Sequence, residues 1–180
     1  MTFVAGSSWQ PDEDLFIEYF NQHPEVKLVI APHVIDENHL VEIIRKLKRP
    51  YVRYTRADEK NVRKADCLII DCFGLLSSIY RYGEIAYIGG GFGVGIHNTL
   101  EAAVYGIPVI FGPKYQKFQE AIQLLEAKGA FSVKDYEELK TLLDRMLTDE
   151  VFLRESGMNA SNYVTGNAGA TDKIMSMINF

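Results

Sequence analysis

Five glycines fall within seven residues, Gly89, Gly90, Gly91, Gly93 and Gly95, and Ile96-His97-Asn98-Thr99-Leu100-Glu101 follows them. Glycine lets a backbone adopt positive φ and come close to a ligand. A helix that starts at such a run presents unpaired N–H groups and the positive end of its dipole, which favours a phosphate. Gly90 and Gly91 are therefore candidates for ligand contact. Asn98 either caps the helix or donates to a phosphate oxygen, with Thr99 and Leu100 beside it. Glu101 lies about one turn in, where a carboxylate can accept from two vicinal ribose hydroxyls. The plainer alternative is a flexible turn, with Asn98 only an N-cap and Glu101 only complementing the dipole. The run is not a dinucleotide fingerprint, which would follow the first strand. Nor is it a Walker loop, because no Gly-Lys-Ser/Thr occurs.

Three further segments carry candidate chemistry. In Ala5-Gly6-Ser7-Ser8-Trp9 the hydroxyls of Ser7 and Ser8 can bind a phosphate or a sugar carboxylate, or simply close a strand-to-helix turn. In Pro32-His33 the imidazole can donate to a phosphate or touch a base, or be an ordinary solvated histidine. In Asp71-Cys72-Phe73-Gly74-Leu75 the backbone from Phe73 through Gly74 to Leu75 can edge onto a nucleobase, or Phe73 can be core. Arg53, Tyr80, Arg81, Tyr82 and Tyr87 read as packing and surface groups. Lys46, Lys48 and Arg49 read as charge complementing a helix end. No paired carboxylates, catalytic triad or metal cluster stands out, and a complete enzyme would normally show a general base.

These segments need elements to hold them. Strand-like runs occur near 3–5, 27–31, 51–54, 67–71, 85–88 and 108–111. Helical periodicity covers about 12–22, 36–47, 75–79 and 98–105, and two or three helices follow, with room for a short strand near 130–133. Pro11, Asp12, Glu13 and Asp14 suit a helix start. Strand alternating with helix through short connections predicts an α/β, Rossmann-like, doubly wound parallel sheet of about six strands. Ligands in that architecture sit beyond the carboxyl ends of the strands, where the four segments fall.

The 180 residues fit one domain, and 47% hydrophobic with 24% charged residues is ordinary for a soluble globular protein. A formal net charge of −5 argues against broad nucleic-acid binding. No apolar run approaches the roughly 20 residues of a membrane span, and the N-terminus does not have the pattern of a signal peptide. Two cysteines, Cys67 and Cys72, read as reduced structural residues; on one strand their separation would point them to opposite faces.

The same segments, in order, resemble the C-terminal domain of the Kdo (3-deoxy-D-manno-octulosonic acid) transferases, which have the two-domain GT-B glycosyltransferase fold. Ala5-Gly6-Ser7-Ser8 is similar to the family's Ala-Gly-Ser-Thr, and Ala31-Pro32-His33 to its Pro-Arg-His. Asp71-Cys72-Phe73-Gly74-Leu75 is similar to Asp-Thr-Met-Gly-Glu, and Gly95-Ile96-His97-Asn98-Thr99-Leu100-Glu101 to Gly-Gly-His-Asn-Pro-Leu-Glu. Gly106-Ile107-Pro108-Val109-Ile110-Phe111-Gly112-Pro113 is similar to Gly-Lys-Pro-Val-Leu-Phe-Gly-Pro. The likeness spans most of the chain, although the last 60 or so residues match only in helical character. The chain departs from the family in having no arginine between Pro32 and His33. Leu75 also stands for a common Glu, and Trp9 for a frequent His.

The resemblance implies a donor-binding half that holds CMP-Kdo. Pro32, His33 and Phe73 to Leu75 would lie around cytidine and phosphate, and Asn98 to Glu101 around phosphate and ribose. It implies no cofactor and no divalent metal, and transfer of Kdo to a lipid A precursor in lipopolysaccharide synthesis at the cytoplasmic face of the inner membrane. The acceptor site, catalytic carboxylate and membrane anchor would belong to an N-terminal domain that these residues lack, leaving a soluble fragment. Two alternatives stay open: the donor half of another GT-B or epimerase-like protein using a UDP-sugar, and a stand-alone nucleotide-binding module.

Overall fold

A computed structural model describes residues 1–169 and Met175. The elements run β1 (Thr2–Ser8), α1 (Gln10–Gln22), β2 (Lys27–Pro32), α2 (Glu37–Lys46), β3 (Tyr51–Arg53), α3 (Glu59–Val62), β4 (Cys67–Ile69) and α4 (Leu76–Ile79). They continue with β5 (Ile85–Ile88), α5 (Leu100–Ala103), β6 (Val109–Phe111), α6 (Gln119–Glu126), β7 (Ala130–Ser132), α7 (Tyr136–Thr148) and α8 (Glu150–Gly166). All strand pairs are parallel, in the order β3-β4-β2-β1-β5-β6-β7.

Side chains alternate across each strand, and that alternation builds two cores. Phe3, Ala5, Leu28, Ile30, Ile85, Tyr87 and Ile110 face α1, α2 and α7. Val4, Ala86, Ile88, Val109 and Phe111 face α5, α6 and α8. Both faces of the sheet are therefore covered, as its nearly continuous apolar strands require. Under α1, Phe16 meets Phe3 and Tyr87 at ring-centroid distances of 6.0 and 5.6 Å in tilted geometry. Burying a ring of that size stabilises by about 1.5–3 kcal/mol.

The sheet has seven strands rather than about six. The seventh, β7, pairs Ala130 to Ser132 with Val109 to Phe111 at the sheet edge, where the sequence leaves room for a short strand near 130–133. Helix α5 is also shorter than the expected 98–105: Asn98 and Thr99 precede it, and Gly106 at φ 70° turns the chain after it. Arg49 serves the end of α1 rather than its own helix. It donates to the carbonyls of Phe20 and His23 at 2.8 Å and lies 4.0 Å over the Phe20 ring. Lys46 pairs with Asp14 at 2.6 Å. Cys67 is buried in β4, which pushes its thiol up, whereas Cys72 lies beyond the strand; both are free. Among the described residues no helix is long and apolar enough to cross a membrane.

Candidate functional site

The chain moves from β1 out to β2 on one side and returns through β5 on the other. That reversal opens a crevice beyond the carboxyl ends of β1 and β5, the place where open α/β sheets take ligands. The end of β1 is irregular: register slips between Gly6 and Ser8, and Ser7 sits at φ 51°, a conformation that costs a non-glycine residue energy. Gly89 must be glycine here, because a Cβ would come 2.2 Å from the Ser7 carbonyl oxygen.

A buried carboxylate ties these pieces together. Asp12, fully buried in the first turn of α1, accepts from the amides of Trp9 and Gly90 and from the Tyr87 hydroxyl, each at 2.9 Å. One side chain therefore fixes the exit of β1, the floor of β5 and the first bend of the glycine-rich loop. Burial raises its pKa, and the hydrogen bonds from Gly90, Trp9 and Tyr87 hold that rise back. Glu13 is buried beside it. Its Oε1 accepts from the Ser8 hydroxyl and lies 2.9 Å from His39 Nε2. Burial raises the Glu13 pKa too, against the pull of His39 and Ser8. Two adjacent acids, each with its own partners, thus lie buried under the crevice. In sequence they are indistinguishable from helix-start acids.

Above them three rings stack. Trp9 lies on His33 at 4.6 Å, and His33 on His97 at 4.5 Å. Trp9 Nε1 donates to His97 Nε2 at 3.4 Å. Burial, with His33 adjacent, holds the His97 pKa below the usual histidine value. In the neutral ring, accepting at Nε2 leaves the proton on Nδ1, free to donate.

Ser7, Pro32, His33, Phe73 and Gly74 line one cavity of about 240 Å3, together with Cys72. Phe73 is 81% exposed, so it is not core. Gly74, at φ 87°, turns the loop. Leu75 does not line the cavity; it precedes α4, and its carbonyl accepts from the Ser78 hydroxyl at 2.8 Å. Ser8 is corrected likewise, its hydroxyl buried and spent on Glu13. The loop that bears Phe73 is clamped from below: Asp71 accepts from Arg53 Nε at 2.8 Å and from the Thr55 amide at 2.9 Å. Burial alone would raise the Asp71 pKa, but Thr55 and Arg53 take it below the usual range. Arg53, expected at the surface, therefore positions the site.

Gly90, Gly91, Asn98, Thr99, Leu100 and Glu101 lie on the adjoining segment, joined to the cavity by the His33–His97 stack. Gly91 packs so closely on Gly112 that a Cβ would meet its Cα at 2.6 Å. Asn98 Oδ1 accepts from the Leu100 amide at 3.0 Å, a turn bond just ahead of α5, and its Nδ2 donates to Glu101 Oε1 at 3.3 Å. The Thr99 hydroxyl is buried without a hydrogen-bond partner among the described residues. Leu100 is partly open to solvent. Glu101 is half-buried in the first turn of α5. Sequence reasoning missed Asp12, Glu13 and His97. The only sequence signal for Asp12 is its place three residues after Trp9, the reciprocal position of a capping box.

No protein-family model matches the chain. A 3-deoxy-D-manno-octulosonic acid transferase of Aquifex aeolicus is 34% identical over 151 residues, covering 81% of this chain and 41% of that protein. The chain is a homologue of the Kdo transferases. The corresponding enzyme of Chlamydia muridarum is 28% identical over 82% of the chain and 35% of its own length. The chain thus spans about a quarter to two fifths of the length of such relatives. In structure, the C-terminal CMP-Kdo binding domain of WaaA from Acinetobacter baumannii superposes with a TM-score of 0.76 at 19% identity, covering 91% of this chain and 89% of that domain. Anabaena HepE, solved with UDP and glucose, gives 0.69 at 11% identity, covering 98% of this chain and 48% of its own. This Kdo-transferase homologue therefore has the fold of a GT-B C-terminal domain.

Proposed function

We propose that this chain is the donor-binding domain of a Kdo transferase, holding CMP-Kdo for transfer of Kdo to a lipid A precursor in lipopolysaccharide synthesis. The observation that carries this is the convergence of the Ser7–His33–Phe73 cavity and the Asn98–Glu101 segment on one crevice, with Asp12 fixing the glycine-rich loop between them. Pro32, Phe73 and Gly74 border the cytidine. His33 and His97 lie toward the phosphate, with Asn98 and the start of α5. Glu101 accepts the ribose hydroxyls. Neutral donors and the helix end offset the charge of the leaving CMP, so no metal or cofactor is needed. The acceptor, catalytic carboxylate and contact with the inner face of the membrane belong to a second domain. The homology to Kdo transferases supports the donor-domain reading.

Calorimetric titration tests the assignment: CMP binds, and UDP and GDP bind far more weakly. Glu101→Ala weakens CMP by about 1–3 kcal/mol through loss of hydrogen bonds to a charged group. Unchanged affinity with the fold intact refutes the role of Glu101. Preference for UDP instead favours the UDP-sugar alternative, which the likeness to UDP-bound HepE keeps in play.

A further inference from the structure

A second cavity, of about 260 Å3, opens at the tip of the glycine-rich loop, lined by Gly93, Gly95, Lys114, Gln116, Lys117 and Phe118. It lies on the same carboxyl edge of the sheet as the crevice, one strand further along. The segment after β6 is pinned to the loop. The Lys114 amide donates to the Gly91 carbonyl at 2.9 Å, and the Phe118 ring lies against Gly95, 3.1 Å from where a Cβ would be. Lys114 Nζ in turn donates to the Gly93 carbonyl at 3.1 Å, which holds the ammonium at the tip. An ammonium has three donors, so two remain. Lys117 brings a second cation to the same wall. Among the described residues neither lysine makes an ion pair, in a chain whose formal net charge is −5.

This cavity is smaller than the roughly 300–1,000 Å3 of a whole ligand site, so it takes part of a ligand. Under the donor assignment above, on which this inference rests, base, ribose and phosphate are held by the crevice. The carboxylate of the sugar acid has so far only the neutral Ser7 hydroxyl as a candidate partner, and no cation. We propose that Lys114 and Lys117 form its subsite, and that this pair makes the domain select a CMP-linked sugar acid over a neutral nucleotide-sugar. Lys114, already held by Gly93, supplies the oriented donors, and Lys117 adds charge.

The test compares CMP, CMP-Kdo and the methyl ester of CMP-Kdo by calorimetry. Wild type binds the acid about 10- to 100-fold more tightly than the ester, the factor expected for one charge-assisted contact. The double substitution Lys114→Ala, Lys117→Ala loses that factor for the acid and leaves CMP within about twofold. Lys114→Arg retains most of it. The acid–ester comparison uses unaltered protein, so it stands even if a variant misfolds. Equal binding of acid and ester by wild type, or an acid preference that persists in the double variant, overturns the subsite while CMP binding leaves the donor assignment standing. Failure of wild type to bind CMP sinks both.

Discussion

At the scale of single residues, Asp12 ranks above the glycines that first mark the site. The glycines only permit the loop its path; Asp12 selects it, because three donors from three segments converge on its carboxylate. Asp12→Ala leaves those donors facing a void, two of them deeply buried, and each buried unmatched group costs about 1–3 kcal/mol. A loss of about 3 kcal/mol or more in urea unfolding is therefore expected. Asp12→Asn keeps an oxygen for the two amides and turns its NH2 to the Tyr87 hydroxyl, so it costs much less. The asparagine variant also isolates a pH effect. Asp12 titrates above its unfolded value of 3.8. Below that value both states hold the proton. As pH rises past it the unfolded chain ionises first, so stability falls until the raised folded value is passed and then levels off. Asp66, Asp71 and Asp144 are lowered and act in the opposite direction. Only the difference between wild type and Asp12→Asn, followed over about pH 3–7, reports Asp12. If the two curves run parallel, Asp12 has the same pKa in the folded and unfolded chain, and burial does not raise it.

Elements differ in how far sequence reveals them. β5 matches its predicted span residue for residue, because its apolar run is bounded by Glu84 and Gly89. The short α5 escapes periodicity, because four residues carry no period, whereas β7 falls where the sequence leaves room for a short strand and is fixed by its pairing with β6. The glycines and Asn98 to Glu101 were readable because their types announce close approach and capping. The spent hydroxyl of Ser8, the outward Phe73 and the Arg53–Asp71 clamp were not, because each depends on a partner distant in sequence. Gly157 shows the same limit. In α8 it reads as a helix-weakening glycine, so alanine would be expected to add up to about 1 kcal/mol. In the fold its Cβ would lie 2.2 Å from the Gly106 carbonyl oxygen, a backbone atom that cannot swing away. Gly157→Ala should therefore lower the melting temperature, since forced overpacking costs about 1–3 kcal/mol and outweighs the propensity gain. A raised melting temperature would mean that α8 rides further from α5 than the structure places it.

For the whole molecule, the question is what one wall of a crevice can do. Its buried carboxylates are closed to an acceptor, although Glu13 Oε2 has no hydrogen-bond partner among the described residues. Asp12 and Glu13 are fully buried, and the Asp71 side chain is held by Arg53 and Thr55. Glu101 is assigned to the ribose. The exposed His33 is stacked between Trp9 and His97, which leaves it poorly placed to follow an acceptor hydroxyl. An open crevice also admits water, whereas glycosyl transfer needs an enclosed site in which the acceptor displaces CMP before water does. Residues 1–180 alone should therefore bind CMP, with a melting temperature that climbs as CMP is added. They should transfer no Kdo to a lipid A acceptor in a product assay by mass spectrometry. Acceptor-dependent release of CMP would place a working base within this chain. His33→Ala would then be the first substitution to make, since its imidazole is exposed and lines the crevice cavity.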